Sequence, residues 1–149
     1  MADIKPAHPV DEASIKQLLS EAALPHTDLK PHHLSHFIVA KSHIEQHVIG
    51  VVGVECYGQV GLLRSLAISQ PHRRQNLGKR LVEKIEAYAQ QQGVKTLYLL
   101  TTTAADYFRQ LGYHNCDRQQ VPPAIAETTE FRHFCPDSAA CLVKALDDR

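Results

Sequence analysis

The chain has 149 residues, 44% of them hydrophobic and 21% charged, enough for one domain of ordinary size with one sizeable core. Sixteen basic residues balance sixteen acidic ones, which removes the basic excess that nucleic-acid binders carry, while ten histidines make the charge positive as pH falls toward about 6. No apolar run reaches transmembrane length, and the start MADIKPAHPVDEAS is not a secretory signal, so a cytoplasmic location with no membrane partner is expected.

Residues 11–23 predict a helix, with Ile15, Leu18, Leu19 and Ala22 on one stripe, acidic residues in the first turn, and Leu24-Pro25 as the stop. Residues 25–36 are rich in proline and histidine and predict irregular chain or a short helix. Strands follow at Phe37–Lys41, Val48–Cys56 and Val60–Ser69, the last two joined tightly through Tyr57-Gly58-Gln59. Gly50 and Gly53 inside the second strand imply a bulge or a close backbone approach. Residues 77–92 make the clearest helix: Leu77, Leu81, Val82, Ile85 and Ala89 form its apolar stripe, and Gly93 is its C-terminal stop. Val94–Thr101 is apolar enough for a strand buried on both faces. A short helix Ala104–Leu111 closed by Gly112, a strand at Tyr113–Cys116, a helix Ala124–Phe134 and a strand at about Ala140–Ala145 complete the chain. The alternation of elements, with no linker, argues for a single-domain mixed α/β sandwich over residues 1–149.

The stretch that carries chemistry runs from Leu66 to Leu81, where a hydrophobic strand enters a basic turn that opens onto the long helix. The first amides of a helix lack intrahelical partners and carry partial positive charge, so such a junction suits phosphate. Arg73, Arg74, Lys79 and Arg80 add cations, Gly78 permits close approach, and Asn76 tolerates positive φ. The expected ligand carries a pyrophosphate or several phosphates. A Walker loop is excluded, because Arg73 and Arg80 stand where it needs glycine and Ser/Thr. The dinucleotide fingerprint G-x-G-x-x-G is absent.

Arg73-Arg74-Gln75-Asn76-Leu77-Gly78 after a strand resembles the R/Q-x-x-G-x-G/A run of the GNAT acetyltransferases, with Asn76 replacing the first glycine. Ala104 to Tyr113 resembles that family's A-x-x-F-Y-x-x-x-G-F/Y helix. Leu100-Thr101-Thr102 is similar to the acetyltransferase domain of bacterial N-acetylglutamate synthases. LLRSLAIS, LYLLTTTAADYF and EFRHFCPDSAACL resemble small GNAT proteins associated with arsenic-resistance operons. The resemblance implies a mixed, mostly antiparallel central sheet flanked by helices, and transfer of acetyl from acetyl-CoA to the amine of a small, amino-acid-like acceptor.

By the same resemblance, the pyrophosphate of CoA lies on the backbone of Arg74, Gln75, Asn76, Leu77, Gly78 and Lys79 with Arg73 alongside, and the pantetheine arm runs along Leu66, Ala67 and Ile68. Thr101 or Thr102 borders the thioester, Phe108 packs near it, and a backbone N–H near Ile68 faces the developing oxyanion. The family's tyrosine acid maps to Phe108; Tyr107, one residue earlier, is turned by about 100°. Glu55, Ser65 and Tyr107 are the candidates for the proton transfers, with Cys56 beside the first. Arg64, in an apolar strand, reads either as an anchor for a substrate carboxylate or as a salt-bridge partner, for instance of Glu55.

Further alternatives stay open at this level. The Phe108 substitution and the lack of an obvious base allow a non-catalytic acyl-CoA-binding sensor or regulatory module. His26, His32, His33, His36, His43 and His47 crowd the N-terminal third, either as biased loop composition or as metal ligands, although no zinc spacing is present and acetyl transfer needs no metal. Cys56, Cys116, Cys135 and Cys141 are expected reduced, either as small buried hydrophobes or as soft ligands for a metalloid. The apolar Ala139–Leu146 could serve a homodimer, since family members associate through sheet edges or C-terminal strands.

Overall fold

The computed structural model describes residues 2–73, 76–134 and 139–146. Its strands are β1 (Ala2–Pro6), β2 (Phe37–Ser42), β3 (Val48–Tyr57), β4 (Val60–Ile68), β5 (Thr96–Thr101), β6 (His114–Asn115) and β7 (Ala140–Ala145). Its helices are α1 (Glu12–Glu21), α2 (Leu77–Gln91), α3 (Ala105–Gln110) and α4 (Pro123–Ala126). The strands form one seven-stranded sheet in the order β1-β2-β3-β4-β5-β7-β6. The β1–β2, β2–β3, β5–β7 and β6–β7 ladders are antiparallel and β4–β5 is parallel, so the mixed and mostly antiparallel sheet with flanking helices is what the sequence implied.

The chain resolves into two compact units: residues 1–54 with 65–87, and residues 55–64 with 88–149. The first is built on a core of Ile15, Leu18 and Leu19 from α1, Leu29, Leu34, Phe37 and Val39, with Val51 and Ala67 from the central strands. The helical stripe predicted at residues 77–92 is realised in full, because Leu77, Leu81, Val82, Ile85 and Ala89 are all buried. The glycines of β3 are there for close approach. A Cβ at Gly53 would run into the ring of Phe37, and one at Gly50 would meet the terminal carbons of Ile68 and Leu81 at 3.0 Å.

The second unit has a core of Leu62, Val121, Ile125, Phe131 and Cys141, with Val60, Tyr98, Leu100 and Cys116 packed against it. The ladder between β4 and β5 consists of three residue pairs, Val60–Leu62 against Thr96–Tyr98. The hairpin from β3 to β4 turns at Gly58, whose φ of +71° glycine adopts without strain. Gly93 and Gly112 end α2 and α3 with φ of +93° and +99°, as a helix stop in this conformation requires.

The structure adds one strand to those expected and changes two readings. The N-terminal residues Ala2–Pro6 pair with β2, although they show no clear alternation from which a strand could be read. Strand β5 is fully buried on one face, at Leu97 and Leu99, while Tyr98 and Leu100 on the other are half-buried. The helix expected over 124–134 breaks after α4 and resumes as a π-helical turn at Glu130–Phe134. The reason is Thr128, whose buried hydroxyl donates to the Ile125 carbonyl at 2.8 Å and accepts from the Phe131 amide at 3.4 Å. Strand β7 lies between β5 and β6 and pairs antiparallel with both.

One buried ion pair ties α1 to the sheet. Asp11 precedes α1, accepts from the His8 amide at 2.9 Å and meets Lys41 of β2 at 3.0 Å. A register shift between Ala40 and Lys41 occurs in the β2–β3 ladder at this lysine. Burial by itself would raise the Asp11 carboxyl; the His8 bond and Lys41 together outweigh it and hold the group below its usual 3.8. A depressed folded-state value stabilises above the unfolded one, and the contribution disappears as pH falls from about 3.8 through the folded value. Asp11→Asn therefore lowers stability at pH 7 by about 1–3 kcal/mol, and denaturation followed across pH shows the gap to wild type closing below that window.

Candidate active site

The strand-to-helix junction lies wholly within the first unit. Where β4 ends, Ser69 donates its amide to the Ile49 carbonyl at 2.8 Å, and its hydroxyl meets His72 Nδ1 at 2.8 Å. A 3-10 turn at Gln70–His72 redirects the chain, and Arg73 Nε donates to the Ile68 carbonyl at 3.0 Å, tying the basic turn back to the strand it leaves. Asn76 takes φ of +60°, the left-handed conformation its residue type was expected to supply. Its carbonyl accepts from the Arg80 amide at 3.1 Å, the first bond of α2. The amides of Leu77, Gly78 and Lys79 precede that bond and so have no intrahelical acceptor. Leu77 is buried and anchors the turn, Gly78 is half-buried, and Arg73, Lys79 and Arg80 are exposed cations around it. Oriented N–H groups, helix dipole and flanking charge are the features that suit an anion. Arg74 and Gln75, expected in the same cradle, lie outside the described residues.

Leu66, Ala67 and Ile68, expected along the pantetheine arm, complete β4 in this unit. Just before them Ser65 is buried at φ of +63°, a conformation serine rarely takes within a strand. It interrupts the regular alternation of the strand between Arg64 and Leu66.

The remaining predicted residues belong to the second unit. Thr101 accepts from the Ala104 amide at 2.9 Å, setting the turn into α3, and Thr102 is exposed. Phe108 is buried, with Tyr107 and Tyr113 edge-on at centroid distances of 5.5 and 5.6 Å. Tyr107 is 38% exposed, so the helical rotation separates the two rings as expected, one into the core and one toward solvent. Partial burial pushes the Tyr107 phenol above its usual value.

Arg64 resolves its two readings. Its side chain has no exposed surface; Nη1 meets Glu55 Oε2 at 2.7 Å and Nε meets Glu130 Oε2 at 3.2 Å. The guanidinium thus has two carboxylates of the protein as partners, the arrangement that the salt-bridge reading expects. The other oxygen of Glu55 accepts from the Tyr57 hydroxyl. Burial first, and then this bond to a carboxylate, push the Tyr57 hydroxyl well above its ordinary range. Glu130 was missed by sequence reasoning: it is 66 positions from Arg64, and one glutamate in an apparently helical stretch carries no signal of a distant partner.

His26, His33 and His43 of the N-terminal third have hydrogen-bond or ion-pair partners within the chain. His26 meets the Leu24 carbonyl at 3.0 Å, the His33 ring accepts from the Lys30 amide at 2.9 Å, and His43 meets Asp3 at 3.0 Å. Among the described residues no group of three or more His, Cys, Asp or Glu side chains is placed to hold a metal ion, and no helix is long and apolar enough to cross a membrane.

A family model described as an acetyltransferase (GNAT) domain matches residues 33–115. The chain belongs to the GNAT acetyltransferase family. Membership carries the reaction class with it, acetyl transfer from acetyl-CoA to an amine. The chain is 31% identical over 120 residues to an uncharacterized N-acetyltransferase of Chlorobaculum tepidum, a match covering 76% of this chain and 73% of that protein. It is 36% identical over 72 residues to an amino-acid acetyltransferase of Pseudomonas fluorescens, covering 48% of this chain but 17% of that longer protein. In fold the GNAT chain is similar to N-acetylglutamate synthase from Neisseria gonorrhoeae complexed with coenzyme A and N-acetyl-glutamate, with a TM-score of 0.85 and 21% identity, over 99% of this chain and 35% of that one. Rv2747 from Mycobacterium tuberculosis, solved with CoA, gives a TM-score of 0.82 at 16% identity, over 97% of this chain and 99% of that one.

The Arg64 cluster makes a sharp prediction. Arg64→Met leaves two carboxylates without their shared cation and costs about 3–5 kcal/mol, seen as a large fall in Tm. Adding Glu55→Gln and Glu130→Gln to it restores most of that loss. A lone effect on KM with Tm unchanged would return Arg64 to substrate binding.

Proposed function

We propose that the chain acetylates the amine of a small, amino-acid-like acceptor by direct transfer from acetyl-CoA. The observation that carries this reading is the match of about half the chain to amino-acid acetyltransferases, together with a strand-to-helix turn whose first amides precede the first helical bond and have no intrahelical partners. In this reading the diphosphate of CoA rests on the backbone from Asn76 to Lys79, with Arg73 alongside and the neighbouring Arg74 and Gln75 contributing. The pantetheine arm follows Leu66–Ile68, and the amide near Ile68 donates to the thioester oxygen as it gains charge.

The acceptor must first lose a proton from its ammonium, to a base or to a water leading to one. Its lone pair then attacks the thioester carbonyl; the C–S bond breaks and CoA leaves as a thiolate that takes up a proton. A thiol with a pKa of about 8.5 leaves acceptably without a dedicated acid, which is why phenylalanine at position 108 is compatible with turnover. Of the three proton-transfer candidates, Glu55 already balances Arg64 and Tyr57, and Ser65 is 8% exposed; Tyr107 keeps the most exposed side chain. Proximity of amine and thioester supplies much of the rate in either case.

A second reading, a non-catalytic acyl-CoA-binding module, is favoured by Phe108 at the position of the family's acid. One experiment separates the two. CoA release is followed over a panel of amines that includes glutamate, aspartate and phosphonate amino acids. An organoarsenical amino-acid analogue belongs in the panel because of the sequence resemblance to arsenic-operon proteins. Turnover with one acceptor class supports the enzyme; CoA binding in calorimetry with no turnover supports the module; absence of binding to CoA and acetyl-CoA overturns both. The junction has its own test: Asn76→Gly retains CoA affinity, whereas Asn76→Val, which resists positive φ, weakens it by about tenfold or more in the same titration.

A further inference from the structure

The β6–β7 ladder brings two thiols face to face. His114 pairs with Val143 and Asn115 with Leu142, so the next position sets Cys116 opposite Cys141. The Cys116 amide donates to the Cys141 carbonyl at 3.0 Å, which makes them a hydrogen-bonded antiparallel pair. Cα atoms of such a pair stand about 5.5 Å apart, within the range that a disulfide bridges. The two sulfurs are 2.6 Å apart, closer than two thiols stand in ordinary packing contact. Exposure is unequal: Cys116 is half-buried, and Cys141 is 6% exposed in the core of its unit. Burial, and then the bond to Cys116, push the Cys141 thiol up to about 12.

We propose that Cys116 and Cys141 are a redox modification site, closing an intrachain disulfide by exchange with a low-molecular-weight disulfide of the glutathione type. Cys116, the reachable thiol, attacks as a thiolate. A bond forms between its sulfur and one sulfur of the small disulfide, the S–S bond of that molecule breaks, and one glutathione thiolate leaves and is protonated. Cys141 then gives up its proton and attacks the Cys116 sulfur, displacing the second glutathione thiolate. Two protein thiols are oxidised and one small disulfide is reduced to two thiols. The closed bond joins the two ends of segment 117–140, the segment that brings Glu130 to Arg64. Oxidation therefore staples the base of the loop that completes the buried charge cluster. Cys56 lies elsewhere, on β3, and serves as an internal control.

The test uses the full chain, reduced and then equilibrated in glutathione buffers of rising oxidised fraction. Free thiols are alkylated, and the protein is digested without reduction and mapped by mass spectrometry. Trypsin leaves Cys135 and Cys141 on one peptide, so a second protease cutting before Asp137 is added. The expected product is a cross-linked peptide pair joining Cys116 to Cys141, with the intact mass lowered by two hydrogens and restored by excess reduced glutathione. Cys56→Ser and Cys135→Ser retain the cross-link, and Cys116→Ser loses it. A glutathione adduct that persists on Cys116, a cross-link through Cys135 instead, or no thiol consumed in the oxidised buffer overturns the proposal. Should a Cys141 variant fail to fold, the wild-type map decides alone. The readout is chemical and stands apart from acetyl transfer, so its outcome leaves the reading of the CoA site untouched.

Discussion

A helix that starts at the surface leaves its first amides without intrahelical partners, and α2 starts directly after a basic turn. That start rests on the backbone at Asn76, where the chain takes a left-handed step between the basic turn and α2. Leu77 then plugs into the core, and Arg73 holds the turn to the Ile68 carbonyl. The stripe that follows, from Leu81 to Ala89, fixes the helix, so the orientation of its first amides is set by hydrophobic burial many residues away. The proposed phosphate site is thus a by-product of packing: the same contacts that stabilise the helix aim its dipole.

Strand β4 carries a different constraint. At Arg64 it places a full charge in a core, and a guanidinium there needs carboxylates with matching geometry. Glu55 comes from the neighbouring strand, which costs little in chain entropy because a tight hairpin joins the two. Glu130 comes from a segment that must be folded in from far along the chain. The break in the helix at Thr128 and the π-helical turn at Glu130–Phe134 are the local irregularities of that delivery. One residue later, Ser65 adopts an uncommon conformation and interrupts the strand just before the stretch expected to line the pantetheine arm. Charge burial and backbone irregularity therefore fall side by side on the strand proposed to carry the pantetheine arm.

Much of this was legible beforehand. Helix α2 and strands β3, β4 and β7 were readable because each has a strong period or a run of β-branched residues bounded by glycine or proline. The left-handed residues Asn76, Gly93 and Gly112 were readable because few residue types accept that conformation. The edge strand β1 was not, since its five residues gain their regularity only from the register with β2. Neither were Glu130 as a partner of Arg64 and Cys116 as the residue facing Cys141, because local patterning says nothing about which distant segments meet.

The amino-acid sequence alone determined the alternation of strands and helices, the loop chemistry at residues 73–79 and the family to which they point. These depend on intrinsic conformational preference and short-range periodicity, which act over a few residues. Tertiary structure decided how Arg64 is neutralised, that β7 lies inside the sheet and not at its edge, and which two thiols stand opposite each other. Those outcomes are set by strand register and by long loops closing, and such long-range pairings leave no periodic trace along the chain.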